Sequence, residues 1–235
     1  LKLLNFLLSA LDPADLQALL PHLEEVSLSA SQVLFETGDL IDAIYFPGSA
    51  CISIVTIMSD GKAVESSTVG RESGVGLLDA LTQQPARNRF FAQIAGSATR
   101  LPAAVFRRRL GESQPLLNLT LRHARATSIQ AEQGVACNIA HEVQGRLARW
   151  LLMTQDRVGA ASFPLTQEYM AIMTGVQRST VSVMAGALKK AGVIDYVRGQ
   201  VVIRDRAALI GHACECYSVV SEEFQSLRAR ADTAP

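Results

Sequence analysis

TGVQRSTVS, residues Thr174 to Ser182, interrupts a stretch that otherwise reads as one apolar helix, Leu165 to Gly192, LTQEYMAIMTGVQRSTVSVMAGALKKAG. A glycine inside a helix costs about 1 kcal/mol relative to alanine. Gly175 therefore marks either a poor helix or a corner between two helices. Its neighbours favour the corner. Thr166 is a good N-cap for a helix beginning at Gln167. Met170 and Met173 face inward, and the small Ala171 lets a second helix cross the first. Gly175 supplies a tight turn at positive φ, and the β-branched Val181 plugs the gap.

The second helix is expected from about Arg178 to Lys190, with Val181, Met184 and Leu188 against the first. That leaves Gln177, Arg178, Ser179 and Ser182 near its exposed N-terminal part, the end that meets base edges in a helix-turn-helix. Arg can pair bidentately with guanine and Gln with adenine. Thr166, Thr180 and Lys189 are placed for phosphates, which position a protein without specifying sequence. Next comes VIDYVRGQVVIRD, two short strands flanking Arg198-Gly199. This makes a winged helix-turn-helix, with Arg198 at the wing tip as a further phosphate contact. Double-stranded DNA is the expected partner.

Upstream, residues 112–157 hold no proline after Pro115 and only two glycines. A seam runs through Leu117, Leu121, Ala124, Ser128, Ala131 and Val135, alternating four and three as in a coiled coil. It reads as a dimer helix; the alternative is a face packed on the chain's own barrel. HEVQGRLARWLLMTQDRV follows as another helix, with Leu147, Trp150, Leu151 and Met153 available for a core, and Gly159 to Ser162 reads as a short hinge. Residues 24–105 alternate short β-rich runs with turn residues, and Asp60-Gly61 between ISIVTIMS and KAVESSTV is a strong hairpin signal. Glycines at 38, 48, 61, 70 and 96 fit an antiparallel barrel or jelly roll.

Composition sets the outer bounds. The 235 residues are 49% apolar and 19% charged, enough for one large domain or two smaller ones. Net charge is zero but unevenly laid out: residues 1–60 carry one basic and eight acidic side chains, residues 141–206 nine basic and five acidic. The two ends are expected to do separate jobs. No apolar run approaches the length that spans a bilayer. The start, LKLLNFLLSAL, reads as an amphipathic helix rather than a signal peptide, so no membrane partner and a cytoplasmic location are expected. The tail, ACECYSVVSEEFQSLRARADTAP, reads as a helix packed on the DNA-binding end, then a disordered terminus.

No phosphate loop, Ser/His/Asp arrangement or metal-ligand spacing stands out, so neither an enzyme nor a metal site is expected. Cys51, Cys137, Cys214 and Cys216 lack CxxC spacing and read as buried or incidental thiols. His123 and His141 lie on predicted helices with no ligand four residues on, and the remaining histidines are scattered.

The order of these parts resembles the Crp/Fnr family of bacterial transcription regulators over nearly the whole chain. VLFETGDLIDAIYFPGSACISIV resembles the opening strands of a cyclic-nucleotide-binding-type barrel, with Gly38-Asp39 at the family's Gly-Asp turn. LTQEYMAIMTGVQRSTVSVMAGALKKAGVI is similar to the family's DNA-binding segment. The resemblance implies an α+β protein: an N-terminal antiparallel β-barrel (a jelly roll of the cyclic-nucleotide-binding kind) over residues 1–111, a dimerisation helix over 112–137, and a winged helix-turn-helix over 138–235. It implies a homodimer reading an operator of two symmetric half-sites, with RNA polymerase as partner of an activator.

Two departures qualify it. On the reading helix Arg178 matches the family's first Arg or Ser, but Ser179 replaces the Glu and Val183 the later Arg. In the effector segment, VGRESGVGLLDALTQQPARNRFF, Val75 stands where members that bind cyclic AMP carry a Glu for the ribose hydroxyl, and the Arg-Ser pair is missing. Arg71, Glu72, Gly74, Gly76, Arg87 and Arg89 remain as a candidate effector pocket, with Gly70 completing an anion-binding turn. An unpaired buried hydroxyl is costly, so cyclic AMP is not expected as the cofactor. A different small effector or none stays open, as does a nucleotide-sensing module whose winged helix serves a protein partner. The N-terminal cysteines that hold an iron–sulfur cluster in the oxygen-sensing branch are missing, none preceding Cys51.

Overall fold

The computed structural model describes residues 3–229. Short helices α1 (Phe6–Ser9) and α2 (Pro13–Leu19) and a 3-10 turn lead into seven strands. These are β1 (Glu24–Leu28), β2 (Val33–Phe35), β3 (Ala43–Pro47), β4 (Cys51–Ile57), β5 (Ala63–Val69), β6 (Arg89–Ile94) and β7 (Gly96–Pro102). They pair antiparallel in two sheets, ordered β1-β7-β3 and β2-β6-β4-β5. Alternation along the strands turns Phe35, Ile44, Phe46, Ile52, Phe90, Ile94 and Leu101 inward, where they are buried. This is the expected jelly-roll barrel. Its longest hairpin turns at Asp60-Gly61, with Gly61 at φ +82° and the Lys62 carbonyl accepting from the Met58 N–H. Helix α3 (Leu77–Thr82) is inserted between β5 and β6.

After α4 (Ala103–Glu112) the chain breaks at Ser113 and enters α5 (Gln114–Ala140). Ser113 caps α5 by accepting from Leu116 N–H, and its hydroxyl donates to the buried Asp15, which also binds Arg109 Nε at 2.7 Å. The entry to the long helix is thus fixed to the start of the chain. Leu116, Leu119, Thr120, His123, Ala126, Gln130 and Cys137 form its buried face. The seam residues lie on a different face: Leu121 is 59% exposed and Val135 64%, and Ile139 continues the stripe at 83%. The chain's own barrel does not cover that stripe.

A bend at His141-Glu142 separates α5 from α6 (Val143–Val158), an almost wholly buried helix. Gly159 ends α6 in the left-handed region at φ +69°. The expected hinge at Gly159–Ser162 needs correcting. Arg71 packs over Gly159 and donates to the Val158 carbonyl, and Ser162 already begins β8 (Ser162–Pro164). The break between helices sits instead at His141-Glu142, where α5 ends and α6 begins.

The C-terminal half continues with α7 (Gln167–Thr174), α8 (Arg178–Lys190), β9 (Ile194–Val197) and β10 (Gln200–Ile203). The wing sheet has three strands, ordered β8-β10-β9, one more than the sequence suggests. Helices α9 (Arg206–His212) and α10 (Cys216–Ala229) close the described chain. The tail helix does not pack mainly on the DNA-binding end. It lies along α5, with Phe224 against His123 (ring centroids 6.5 Å apart) and Glu223 on Arg125 at 2.6 Å. The tail expected to be disordered falls outside the described residues.

Candidate nucleic-acid interface and effector cavity

Helix α7 starts because Thr166 Oγ1 accepts from Tyr169 N–H, and it stops because Gly175 adopts φ +67°. The corner is as the sequence argued. Val181, Ala185 and Leu188 of α8 are buried under Met170 and Met173. Gln177, Arg178 and Ser179 stand exposed at the start of α8. Ser182 is half-buried and donates to Gln167 Oε1 at 2.9 Å, and Arg178 Nε points to the same oxygen at 3.5 Å. Gln167 thus orients two of the expected base-reading side chains.

Val183, one turn further along, is an exposed apolar side chain at 64%. Thr180 is half-buried beside the reading face. Lys189 is placed less well. It pairs with Asp195 at 2.7 Å and lies eleven residues beyond Arg178, about 16 Å down the helix. At the wing tip both turn residues have positive φ, +50° at Arg198 and +78° at Gly199, the two-residue turn that matches strand twist. Three of the nine basic residues of this half, Arg146, Arg149 and Arg157, are buried and add little to its surface field.

The expected effector residues are brought together only in part. Glu72, Gly74 and Gly76 line a cavity of about 140 Å³ beside α5, with Asp79, His123 and Phe224. Arg71 turns away to the Gly48 carbonyl, Arg87 is exposed, and Arg89 pairs with Glu36 at 3.3 Å on the outside. Gly70 N–H is not free for an anion, since it donates to Glu72 Oε1 at 3.2 Å, and its Cα packs tightly against Arg157. Arg157 is the residue that sequence reasoning missed. From α6 it donates to Glu72 Oε1 at 3.0 Å, to Thr68, and to Gln130 Oε1 at 3.3 Å, so one guanidinium joins barrel, long helix and DNA-binding half. A larger cleft of about 930 Å³ lies outside the barrel, between α1, the end of α6 and α10.

Titratable groups buried in and beside the barrel are strongly shifted. Burial lowers His123 to about 4, while its Nε2 shares a 2.6 Å hydrogen bond with Ser73. Burial raises Cys51 to about 12, which makes that thiol inert. Burial also raises Glu65 to about 7, against the pull of the Ser53 hydroxyl and Arg157. The sign follows from proton uptake. Between the ordinary carboxylate range and pH 7 the unfolded chain loses this proton and the folded chain keeps it, so stability falls as pH rises. Above pH 7 the penalty levels off at about 3 kcal/mol. Glu65→Gln is expected to gain roughly that much at pH 8 and little near pH 4, read by urea unfolding at both.

With both ends described, comparison with known proteins is direct. Residues 25–113 match the model of the cyclic nucleotide-binding domain, and residues 145–211 match that of the Crp-like helix-turn-helix domain. The chain belongs to the Crp/Fnr family of transcription regulators. Several solved structures share its fold. FixK2 from Bradyrhizobium japonicum superimposes with a TM-score of 0.70 at 17% identity, over 82% of this chain and 98% of its own. TTHB099, a CRP-family transcriptional regulator from Thermus thermophilus, gives 0.67 at 20% identity, over 81% and 99%. TTHA1359, a CRP/FNR-family regulator from the same organism, gives 0.63 at 20%, over 81% and 98%. No curated protein sequence is similar enough to stand as a relative. This Crp/Fnr chain has no helix long and apolar enough to cross a membrane among its described residues.

Proposed function

We propose that this regulator acts as a homodimer on a two-fold symmetric operator, and that its barrel does not take cyclic AMP. The uncovered apolar stripe of α5 carries the dimer reading. Leu121, Val135 and Ile139 stay exposed on a helix whose opposite face is fully packed. The exposed Gln177-Arg178-Ser179 edge then occurs twice, once per half-site. Three features argue against cyclic AMP. The cavity, about 140 Å³, is below the 300 Å³ or so at which small-molecule sites begin. No arginine lines it, whereas the carboxylates of Glu72 and Asp79 do and would repel a phosphate. Val75 stands where the ribose would need an acceptor.

The test is selection of binders from a random DNA pool, with and without cyclic AMP. Equal enrichment of symmetric half-sites about one helical turn apart supports the reading. Enrichment only with cyclic AMP overturns the cavity argument. On the selected site Arg178→Ala is expected to cost about 1–3 kcal/mol and relax preference at one position per half-site. An unchanged affinity would favour a winged helix that docks on protein.

A further inference from the structure

Four ligand-type side chains meet at the bend between α5 and α6, and the DNA-reading function uses none of them. Cys137 sits in the last turn of α5 and His141 just past its end, four residues on and so on the same face. Cys214 and Cys216 flank Glu215, Cys214 in the connection from α9 and Cys216 at the first position of α10. The fold closes this 77-residue gap: Cys137 Sγ lies 3.5 Å from Cys214 Sγ, and Cys216 Sγ lies 3.5 Å from His141 Nδ1. All four ligand atoms fall within 4.8 Å of one another. A tetrahedral ion with bonds of about 2.3 Å to sulfur and 2.0–2.1 Å to nitrogen has ligand–ligand edges of roughly 3.4–3.8 Å. The spacing therefore suits one ion and leaves no room for an iron–sulfur cluster among the sulfurs.

The surroundings agree. His141 Nε2 faces Glu215 Oε1 at 3.1 Å, the carboxylate–histidine arrangement that fixes a ligating ring with Nδ1 free for metal. Gln133 Nε2 donates to Cys216 Sγ at 3.0 Å, an outer hydrogen bond that orients a ligating sulfur. Arg149 is 2% exposed, its charge acts on Cys137, and it lies against Met153 Sδ and the Trp150 ring with no carboxylate partner among the described residues. Three thiolates and one imidazole around a divalent ion carry one net negative charge, the counter-ion that this buried guanidinium lacks.

We propose that Cys137, His141, Cys214 and Cys216 bind a single tetrahedral divalent ion, Zn2+ by the softness of the donors. The ion clamps the end of the long helix to the α9–α10 connection. All four positions are filled by protein, the mark of a structural rather than a catalytic site. The clamp spans the bend that sets how the reading head sits on the dimer helix, so its occupancy fixes that orientation.

The experiment is elemental analysis of the full chain purified without chelator, followed by exchange with Co2+. About one equivalent of zinc per chain is expected. The Co2+ form should show thiolate-to-metal charge transfer and the visible bands of tetrahedral coordination. Cys214→Ser and Cys216→Ser should each abolish that spectrum. Glu215→Gln should weaken binding about 10–100-fold while keeping the bands, and Cys51→Ala, in the barrel, should change neither. The wild-type Co2+ titration stands even if a ligand variant fails to fold. Zinc below about a tenth of an equivalent with no Co2+ bands would overturn the assignment. So would an iron–sulfur absorption spectrum, or a Cys137–Cys214 disulfide in the purified protein.

Discussion

Leu121→Asp should leave the folded chain intact and abolish the dimer. Leu121 is 59% exposed within one chain, so the substitution removes little from that chain's own core. In a dimer built on the α5 stripe the same residue is buried twice. Burying a leucine stabilises by about 1.5–3 kcal/mol, so losing two weakens association about a thousandfold at mid-range, before the cost of two desolvated carboxylates. Operator affinity should fall by about 100-fold or more, because each half-site then binds independently. Sedimentation velocity and fluorescence anisotropy on the selected operator read the two effects. Circular dichroism should be unchanged. A variant that remains dimeric and binds DNA like the wild type would remove α5 as the dimer helix.

What could be read from the sequence was local. The helix-turn-helix lies within one contiguous segment, and Gly175 at φ +67° is a single-residue signal for its corner. The Asp60-Gly61 and Arg198-Gly199 turns announce their hairpins in the same way. The α5 stripe follows from periodicity alone, although the reading stopped at Val135 and missed Ile139. The effector arginines went wrong because nearness in sequence says nothing about direction. Arg71, Glu72 and Gly74 are neighbours in the chain, yet Arg71 points to Gly48 and Val158 while the other two line the cavity. The thiol cluster had a partial signal. Cys137 stands four residues before His141, and looking only forward from the histidine hides the pair. Its other half, Cys214 and Cys216, is joined to it only by the path of α6 to α10. Charge counts had the same weakness, since three arginines counted toward the basic half are buried.

Arg157 is the clearest case of a role created by the fold, and Arg157→Met the sharpest test of it. Its guanidinium is 3% exposed and satisfies Glu72, Thr68 and Gln130, which reach it from the barrel and the long helix. Deleting one partner of a fully buried pair strands the other at about 3–5 kcal/mol; with Glu72 17% exposed and still accepting from Gly70 N–H, the low end of that range applies. Here Glu72 is stranded, and its Oε2 is already without a partner. The expected result is a loss of that size in urea unfolding, with the single transition splitting in two as barrel and reading head part. Glu72→Gln with Arg157→Met should recover most of the loss, because a neutral amide beside an apolar chain leaves no uncompensated charge. Operator affinity should also change in Arg157→Met, although the residue lies outside the reading helix and the wing. That would show the orientation of the heads to be set from the barrel side. A loss below about 1 kcal/mol with unchanged DNA binding would mean that the contacts at the His141-Glu142 bend hold the two halves without the arginine.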